Sequence, residues 1–211
     1  MESNFNLERF DIFPVPVYAI KLQNVDEINS YLERTAGRLE LEDGHDKTNY
    51  CETGYTTFKK HDNILSHDEC QTLLELIGNA VFTIHQNTGL TGGVYLQNSW
   101  LSINRKHSYH ERHNHLPSTW SGVYYVKANT DDANLTFVNN NLRSHWPFCQ
   151  LEENNMDNSA NAMFSAETAR LYIFPGYVEH MVEEQLVQQD RITLSFNFGV
   201  KFSNTEEQEN D

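Results

Sequence analysis

The chain has 211 residues, with 15 Lys or Arg against 30 Asp or Glu, so its formal net charge at pH 7 is −15. This balance argues against general nucleic-acid binding, because a phosphate backbone requires a basic protein surface. The length suits one domain spanning residues 1–211, and an aromatic content of 12% argues against overall disorder. Only the acidic tail, residues 203–211, is predicted to be disordered.

Neither the chain start nor the cysteines indicate export. The first residues contain no basic segment followed by a long apolar run, so we expect no signal peptide and no membrane contact. Cys51, Cys70 and Cys149 are far apart and odd in number, which fits neither a zinc ribbon nor a disulfide framework. Reduced thiols of this kind predict a cytoplasmic protein.

The first part of the chain, residues 1–92, is predicted to be helical and extended. Residues 10–22 alternate in polarity and contain Pro14 and Pro16, which is typical of an edge strand. An apolar stripe predicts a helix over 25–39, and the polar residues 42–63 predict a loop. The sequence Ser-His-Asp-Glu at 66–69 is a capping box that predicts a helix through about Gln86, with Cys70 on its apolar face.

From residue 94 the pattern changes to short strands. Strands that follow helices, without alternation between the two, predict an α+β chain whose helices pack on one face of a sandwich or barrel. The core is predicted to span residues 93–202. Its strands are expected near 94–105, 108–115, 120–128, 134–139, 170–174, 178–184 and 190–202.

Three histidines form a candidate metal site. His113 and His115 are two residues apart, so on a strand both side chains point to the same face. His180 supplies a third imidazole from a distant strand, and three ligands leave coordination positions open for chemistry. Catalytic zinc also fits three histidines, although no H-E-x-x-H helix provides a nearby general base. His107 and His110 are predicted to lie at the mouth or on the surface.

The last strand offers a candidate anion-binding residue. Arg191 and Thr193 fall on one face with Ser195 and Asn197, and the residues between them are apolar. An arginine facing the inside of a barrel is costly unless it meets an anion. Its planar group can hold a carboxylate through two parallel hydrogen bonds.

Over roughly residues 94–202 the chain resembles the iron(II)/2-oxoglutarate-dependent oxygenases. The similarity is carried by His113-Asn-His115, Ser-Gly-Val-Tyr-Tyr-Val at 121–126, Phe174-Pro175 with His180, and Arg-x-Thr-x-Ser-Phe-Asn at 191–197. It is greatest to a branch with an H-x-H motif, an SGVYY strand and a closing R-x-[ST]-x-SFN strand.

The resemblance implies a double-stranded β-helix, or jelly roll, and a hydroxylase that consumes 2-oxoglutarate and dioxygen. It implies that His113, His115 and His180 bind Fe(II) and that Arg191 and Thr193 bind the distal carboxylate of 2-oxoglutarate. Tyr124 is a further candidate for the cosubstrate pocket, together with Tyr109 and Asn104.

Several alternatives stay open. His115 stands where the wider superfamily has a carboxylate, and Glu111 could supply one from the same strand face. A cupin-like metal enzyme shares the H-x-H pair, but residues 116–121 lack the acidic residue a cupin would add. A jelly roll that serves only as a binding or structural module is a third reading. The substrate, a small molecule or a protein side chain, and the formation of a homodimer are left open.

Overall fold

The structure is a computed structural model that describes residues 14–44, 53–139, 152–153, 155 and 158–202. The described residues form two α-helices, α1 (Asp26–Asp43) and α2 (Gln71–Asn87), and two short 3-10 turns, Ile64–Ser66 and Asp68–Cys70. They also form ten strands: β1 (Tyr18–Lys21), β2 (Tyr55–Thr56), β3 (Gly93–Asn104), β4 (His110–His113), β5 (Trp120–Lys127), β6 (Leu135–Val138), β7 (Asn161–Phe164), β8 (Arg170–Pro175), β9 (His180–Val182) and β10 (Arg191–Lys201).

The strands form two sheets, and every pairing between them is antiparallel. The larger sheet has six strands in the order β1-β8-β5-β10-β3-β2, and the smaller has four in the order β4-β9-β6-β7. The order is far from sequential, so the chain crosses repeatedly between the two sheets. This arrangement confirms the predicted α+β class with a double-stranded β-helix core.

Alternation along β10 explains why the six-stranded sheet separates two cores. Ile192, Leu194 and Phe196 face the helices, where they pack with Leu32 of α1 and Ile77 of α2. The opposite face of the sheet meets the four-stranded sheet through a second apolar cluster. The layers therefore run helices, large sheet, small sheet, and the helices lie on one face of the large sheet as predicted.

The beginning of α2 differs from the sequence prediction. Residues 66–69 do not form the predicted capping box; two 3-10 turns occupy this region, and α2 begins at Gln71 without a side-chain cap. Tertiary packing explains this, because Ile64, Leu65 and Cys70 are completely buried and fix the path of the turns. Cys70 is a core residue, as predicted.

Two short strands escaped prediction. β2 lies inside the stretch 42–63, predicted as a loop, and β7 lies in a polar stretch where no strand was predicted. Both are edge strands whose residues alternate weakly, so hydrogen bonding to a neighbour defines them more than their pattern does. β1 is an edge strand as predicted, although it starts only at Tyr18, after both prolines. The tail 203–211 lies outside the described residues.

Glycine is required at position 122, where β5 pairs with β10 in the large sheet. A Cβ atom at this position would collide with the ring of Phe196 and lie 2.6 Å from the carbonyl oxygen of Tyr172. The close approach brings three central strands together directly beneath the site described below. No helix in the described residues is long and apolar enough to cross a membrane.

Candidate functional site

The three predicted histidines converge on one point between the sheets. His113 at the end of β4 lies directly opposite His180 at the start of β9 in the strand register. His115 lies just beyond β4, where its backbone N–H donates to the carbonyl oxygen of Gly176 at 2.8 Å. A side chain at Gly176 would collide with the carbonyl oxygen of Ser118, so this glycine allows the two segments to approach.

Backbone hydrogen bonds orient two of the rings. Nδ1 of His113 lies 2.6 Å from the carbonyl oxygen of Glu111, and Nδ1 of His180 lies 3.0 Å from that of Val178. A carbonyl oxygen can only accept, so each Nδ1 must carry the proton. Each Nε2 is then left with a free lone pair, which is the tautomer that binds a metal ion.

The ring positions form a compact triangle. Centroid separations are 5.1 Å for His113–His115, 4.4 Å for His113–His180 and 5.0 Å for His115–His180. One potential ligand nitrogen from each ring lies within 4.8 Å of the others, and this is the group of metal-binding side chains that the described residues contain. Metal–nitrogen bonds of about 2.1 Å place three nitrogens on one ion about 3–3.6 Å apart, so the triangle would close by about 1–2 Å around a bound ion.

Burial keeps two of these rings neutral. It lowers the pKa of His115 to about 3, with His180 and His113 as further causes, and the pKa of His180 to about 4, with His113 adding to the effect. Neutral imidazole is the form that ligates a metal ion, so protons compete poorly for these two ligands at neutral pH.

A β-bulge changes which residues of β4 face the interior. The pairing with β9 shifts by one residue between His110 and His113, so His110 joins His113 at the wall of the site. The prediction that His110 lies at the mouth or surface was therefore wrong, whereas His107 is exposed as predicted. Glu111, weighed as an alternative ligand, is exposed and does not belong to the histidine group.

Arg191 at the start of β10 is a buried cation close to the histidines. It is 2% exposed, its Nη1 donates to the carbonyl oxygen of Ala133 at 2.7 Å, and its Nε has no partner among the described residues. Burial lowers its pKa, which Tyr125 and Asp132 partly oppose. Its guanidinium carbon lies 6.0 Å from the centre of the Tyr125 ring. A buried cation with an unused donor is a strong anion-binding candidate.

The strand register corrects the assignment of Tyr124. Its side chain lies on the helix side of the sheet, where the hydroxyl donates to Oδ1 of Asn29 at 2.7 Å, so it is not a pocket residue. Tyr125 lies opposite Thr193 in the β5–β10 pairing and lines the site instead. Thr193 itself is 5% exposed and lines the same cavity as Arg191.

Two neighbouring cavities share a wall at the histidines. The inner cavity, of about 60 Å³, contains Arg191, Thr193 and Tyr125 together with His180. The outer cavity, of about 280 Å³, opens on the other side and is bordered by the β2 region. The residues that line both are Trp100, His110, His113 and His115. The candidate metal site therefore has access to two separate binding spaces.

This geometry agrees with the comparison to known families. Residues 98–197 match the family described as "Putative 2OG-Fe(II) oxygenase". This segment, a little under half of the chain, is similar in sequence to the 2OG-Fe(II) oxygenases. The matched segment contains all three histidines, Arg191 and Thr193. No curated protein matches the chain in sequence.

Solved structures share the fold at low sequence identity. HygX from Streptomyces hygroscopicus, solved with nickel and 2-oxoglutarate bound, is 12% identical with a TM-score of 0.59, and the alignment covers 89% of this chain and 84% of HygX. A Pseudomonas putida prolyl-4-hydroxylase is 13% identical with a TM-score of 0.61, covering 89% of this chain and 94% of that chain. SnoK, an alpha ketoglutarate dependent carbocyclase of nogalamycin biosynthesis, is 10% identical with a TM-score of 0.61, and the alignment covers 87% of this chain and 80% of SnoK.

Two site residues were not foreseen as such. Tyr125 was missed because it is adjacent to Tyr124, and only its pairing with Thr193 of β10 shows that it lies on the face of the site. Trp100 is 8% exposed, and its ring faces both cavities with its centroid 5.8 Å from that of His115. It lies on the strand before His113, and the sequence gave no signal that its ring meets the histidines.

Proposed function

We propose that the protein is a non-haem iron dioxygenase in which His113, His115 and His180 hold Fe(II) and Arg191 anchors 2-oxoglutarate. The observation that carries the proposal is the convergence of the three histidines beside a buried arginine that has an unused donor. The match of residues 98–197 to the family described as "Putative 2OG-Fe(II) oxygenase" supports the same reaction class. Within that class the proposed reaction is hydroxylation, which couples oxidation of a substrate C–H bond by dioxygen to decarboxylation of 2-oxoglutarate.

The donor set fits an iron ion. Three imidazoles suit a divalent transition metal and leave coordination positions open, and the backbone carbonyls fix two of the rings as Nε2 ligands. When bound, the ion supplies the site where the cosubstrate and dioxygen react. The third neutral histidine replaces a carboxylate, so the ion keeps more positive charge, which strengthens its attraction for the anionic cosubstrate.

The side chains that line the inner cavity match the two ends of 2-oxoglutarate, and the cavity of about 60 Å³ would have to widen to hold the whole molecule. The molecule has a 2-oxo acid group at one end and a second carboxylate at the other, so it can reach from the histidines to a distant cation. Arg191 would bind the distal carboxylate with its Nε and a terminal nitrogen, and Thr193 would donate a further hydrogen bond. Val123, Leu135 and Phe174 line the same cavity and exclude water, which strengthens these polar contacts.

The proposal also covers the domain organisation, the location and the entry of the substrate. We propose one domain for residues 1–211, because the helices and both sheets share continuous apolar layers in the described residues. A cytoplasmic location is proposed on the cysteine pattern alone. The substrate is proposed to enter the outer cavity, and it is not a nucleic acid on grounds of charge.

The test is an anaerobic titration of the protein with Fe(II), with and without 2-oxoglutarate, followed by visible absorption. We expect a charge-transfer band that forms only when both are present. Fe(II) binding without such a band would favour a cupin-like metal enzyme that does not use 2-oxoglutarate. Absence of both metal binding and the band would leave the jelly roll as a binding module.

A further inference from the structure

The outer cavity has an aromatic wall next to the histidines. Phe58 and Trp100 meet edge to face, with ring centroids 4.8 Å apart and planes inclined by 66°. Trp100 in turn lies against His115. Phe58 is 46% exposed although it is a large apolar residue, so its free face is turned to the cavity and solvent. Such a corner accepts the face or edge of another planar ring.

A polar group without a partner lies beside this wall. Asn104 at the end of β3 is 3% exposed and lines the cavity. Its Nδ2 lies 2.9 Å from Nε2 of His110, and because an amide nitrogen can only donate, the ring nitrogen accepts. The amide oxygen of Asn104 accepts no hydrogen bond from any described residue. A buried acceptor of this kind is costly unless a ligand supplies an N–H or O–H donor.

From these observations we propose that the outer cavity binds a planar apolar ring that carries an N–H or O–H donor, as an indole or a phenol does. Phe58 and Trp100 hold the ring, and Oδ1 of Asn104 accepts its hydrogen bond. The inference rests on the proposed function, since it names the substrate class of that same site. The ring would lie against the histidines, where its bonds are within reach of the reaction.

Size and charge agree with such a ligand. A cavity of about 150 Å³ is sufficient for benzene, so the 280 Å³ of the outer cavity accommodates a bicyclic ring with a short substituent. Arg112 of β4 lines this cavity, and its guanidinium is paired with the carboxylate of Glu179. Lys59, which also lines this cavity, likewise makes an interaction of its own.

The experiment compares ligands that differ by one methyl group. Indole and 4-methylphenol are titrated against the protein by saturation-transfer NMR at millimolar concentration, beside 1-methylindole and 4-methylanisole, which keep the ring and lose the donor. We expect at least one parent ring to bind and its methylated partner to bind about tenfold more weakly, the effect of one lost hydrogen bond. Absence of binding by both parent rings, or equal binding within both pairs, overturns the proposal.

Variants locate the binding. Phe58→Ala should weaken binding of the ring about tenfold, while Phe82→Ala, which removes a phenyl ring of similar exposure from α2, should leave it unchanged. Asn104→Ala should abolish the difference between indole and 1-methylindole. If this variant does not fold, the comparison of methylated ligands on the unaltered protein still decides the hydrogen bond. Equal effects of the two phenylalanine substitutions would contradict the proposed location.

Further experiments identify the kind of molecule that carries the ring. They also distinguish failure of this inference from failure of the proposed function. Capped tripeptides with a central Trp or Tyr test whether the ring belongs to a peptide; tighter binding than the free ring identifies a peptide substrate, and weaker binding a small molecule. Either result retains the ring site. Ring binding without the charge-transfer band would refute the proposed function only. The band without ring binding would refute this inference only.

Discussion

Replacing Arg191 separates cosubstrate binding from folding. Arg191→Met keeps most of the side-chain volume and removes the charge. The arginine is 2% exposed and its Nε has no partner among the described residues, so the ligand-free protein gains little from the cation. Because an uncompensated buried charge is costly, we expect the ligand-free variant to be as stable as the parent or more stable.

The effect on 2-oxoglutarate should be large. Truncating one partner of a buried, hydrogen-bonded charge pair costs about 2–5 kcal/mol, which corresponds to a loss of affinity from about 30-fold to several thousand-fold. Arg191→Lys should recover only part of this, because an ammonium cannot form the two-pronged contact. Iron binding should persist, since the histidines lie on other strands or loops.

The assay is calorimetric titration of 2-oxoglutarate into the Fe(II)-loaded protein without oxygen, together with thermal unfolding. A saturating ligand at about 1,000 times its Kd raises stability by about 4 kcal/mol, and this increase should disappear in Arg191→Met. Arg170→Met is the control, because Arg170 is a partly exposed arginine of β8 that pairs with Glu167. Unchanged 2-oxoglutarate affinity in Arg191→Met would refute the reasoning.

Three other predictions concern the histidines and the sheet. His113→Ala or His180→Ala should lose the metal without unfolding, as measured by bound iron and circular dichroism, and His115→Asp should retain Fe(II); full iron in both alanine variants would disprove the ligand set. Gly122→Ala should destabilise the fold by about 1–3 kcal/mol through overpacking, seen as a lower Tm, whereas an unchanged Tm would contradict the close strand contact. Burial lowers the pKa of His110 to about 3, and burial likewise lowers those of His115 and His180 to about 3 and about 4, all from 6.5. The unfolded chain therefore binds more protons than the folded one between about pH 4 and pH 6.5, and the free energy of unfolding of the metal-free protein should fall by about 1–2 kcal/mol per histidine from about pH 7 to about pH 5. Urea unfolding at the two pH values measures this, and a pH-independent midpoint would contradict it.

The fold and much of the site could be predicted from local pattern. The two-residue spacing of His113 and His115, and the alternation from Arg191 to Phe198, directly encode which side chains share a face of a sheet. The helix stripes correctly indicated which side of the sheet α1 and α2 cover. These features depend only on the periodicity of the chain itself, so a single sequence is enough to predict them.

The errors arose where neighbouring strands decide the structure. The bulge in β4 turned His110 inward and left Glu111 exposed. On β5, Tyr125 rather than Tyr124 lies on the face of the pocket, because Tyr125 pairs with Thr193 and Tyr124 pairs with Leu194. A shift of one residue exchanges the two faces of a strand, and nothing within the strand itself records it. The outer cavity was not predicted for the same reason, because Phe58 follows β2, a strand that is defined by its pairing with β3.

Anomalous diffraction from crystals grown without oxygen, in the presence of Fe(II) and 2-oxoglutarate, tests the central claim most directly. We predict a single iron peak bonded at about 2.1 Å to Nε2 of His113, His115 and His180. Continuous density for 2-oxoglutarate should extend from the iron to the guanidinium of Arg191. An iron peak elsewhere, or 2-oxoglutarate absent from the inner cavity while iron is bound, would contradict the account.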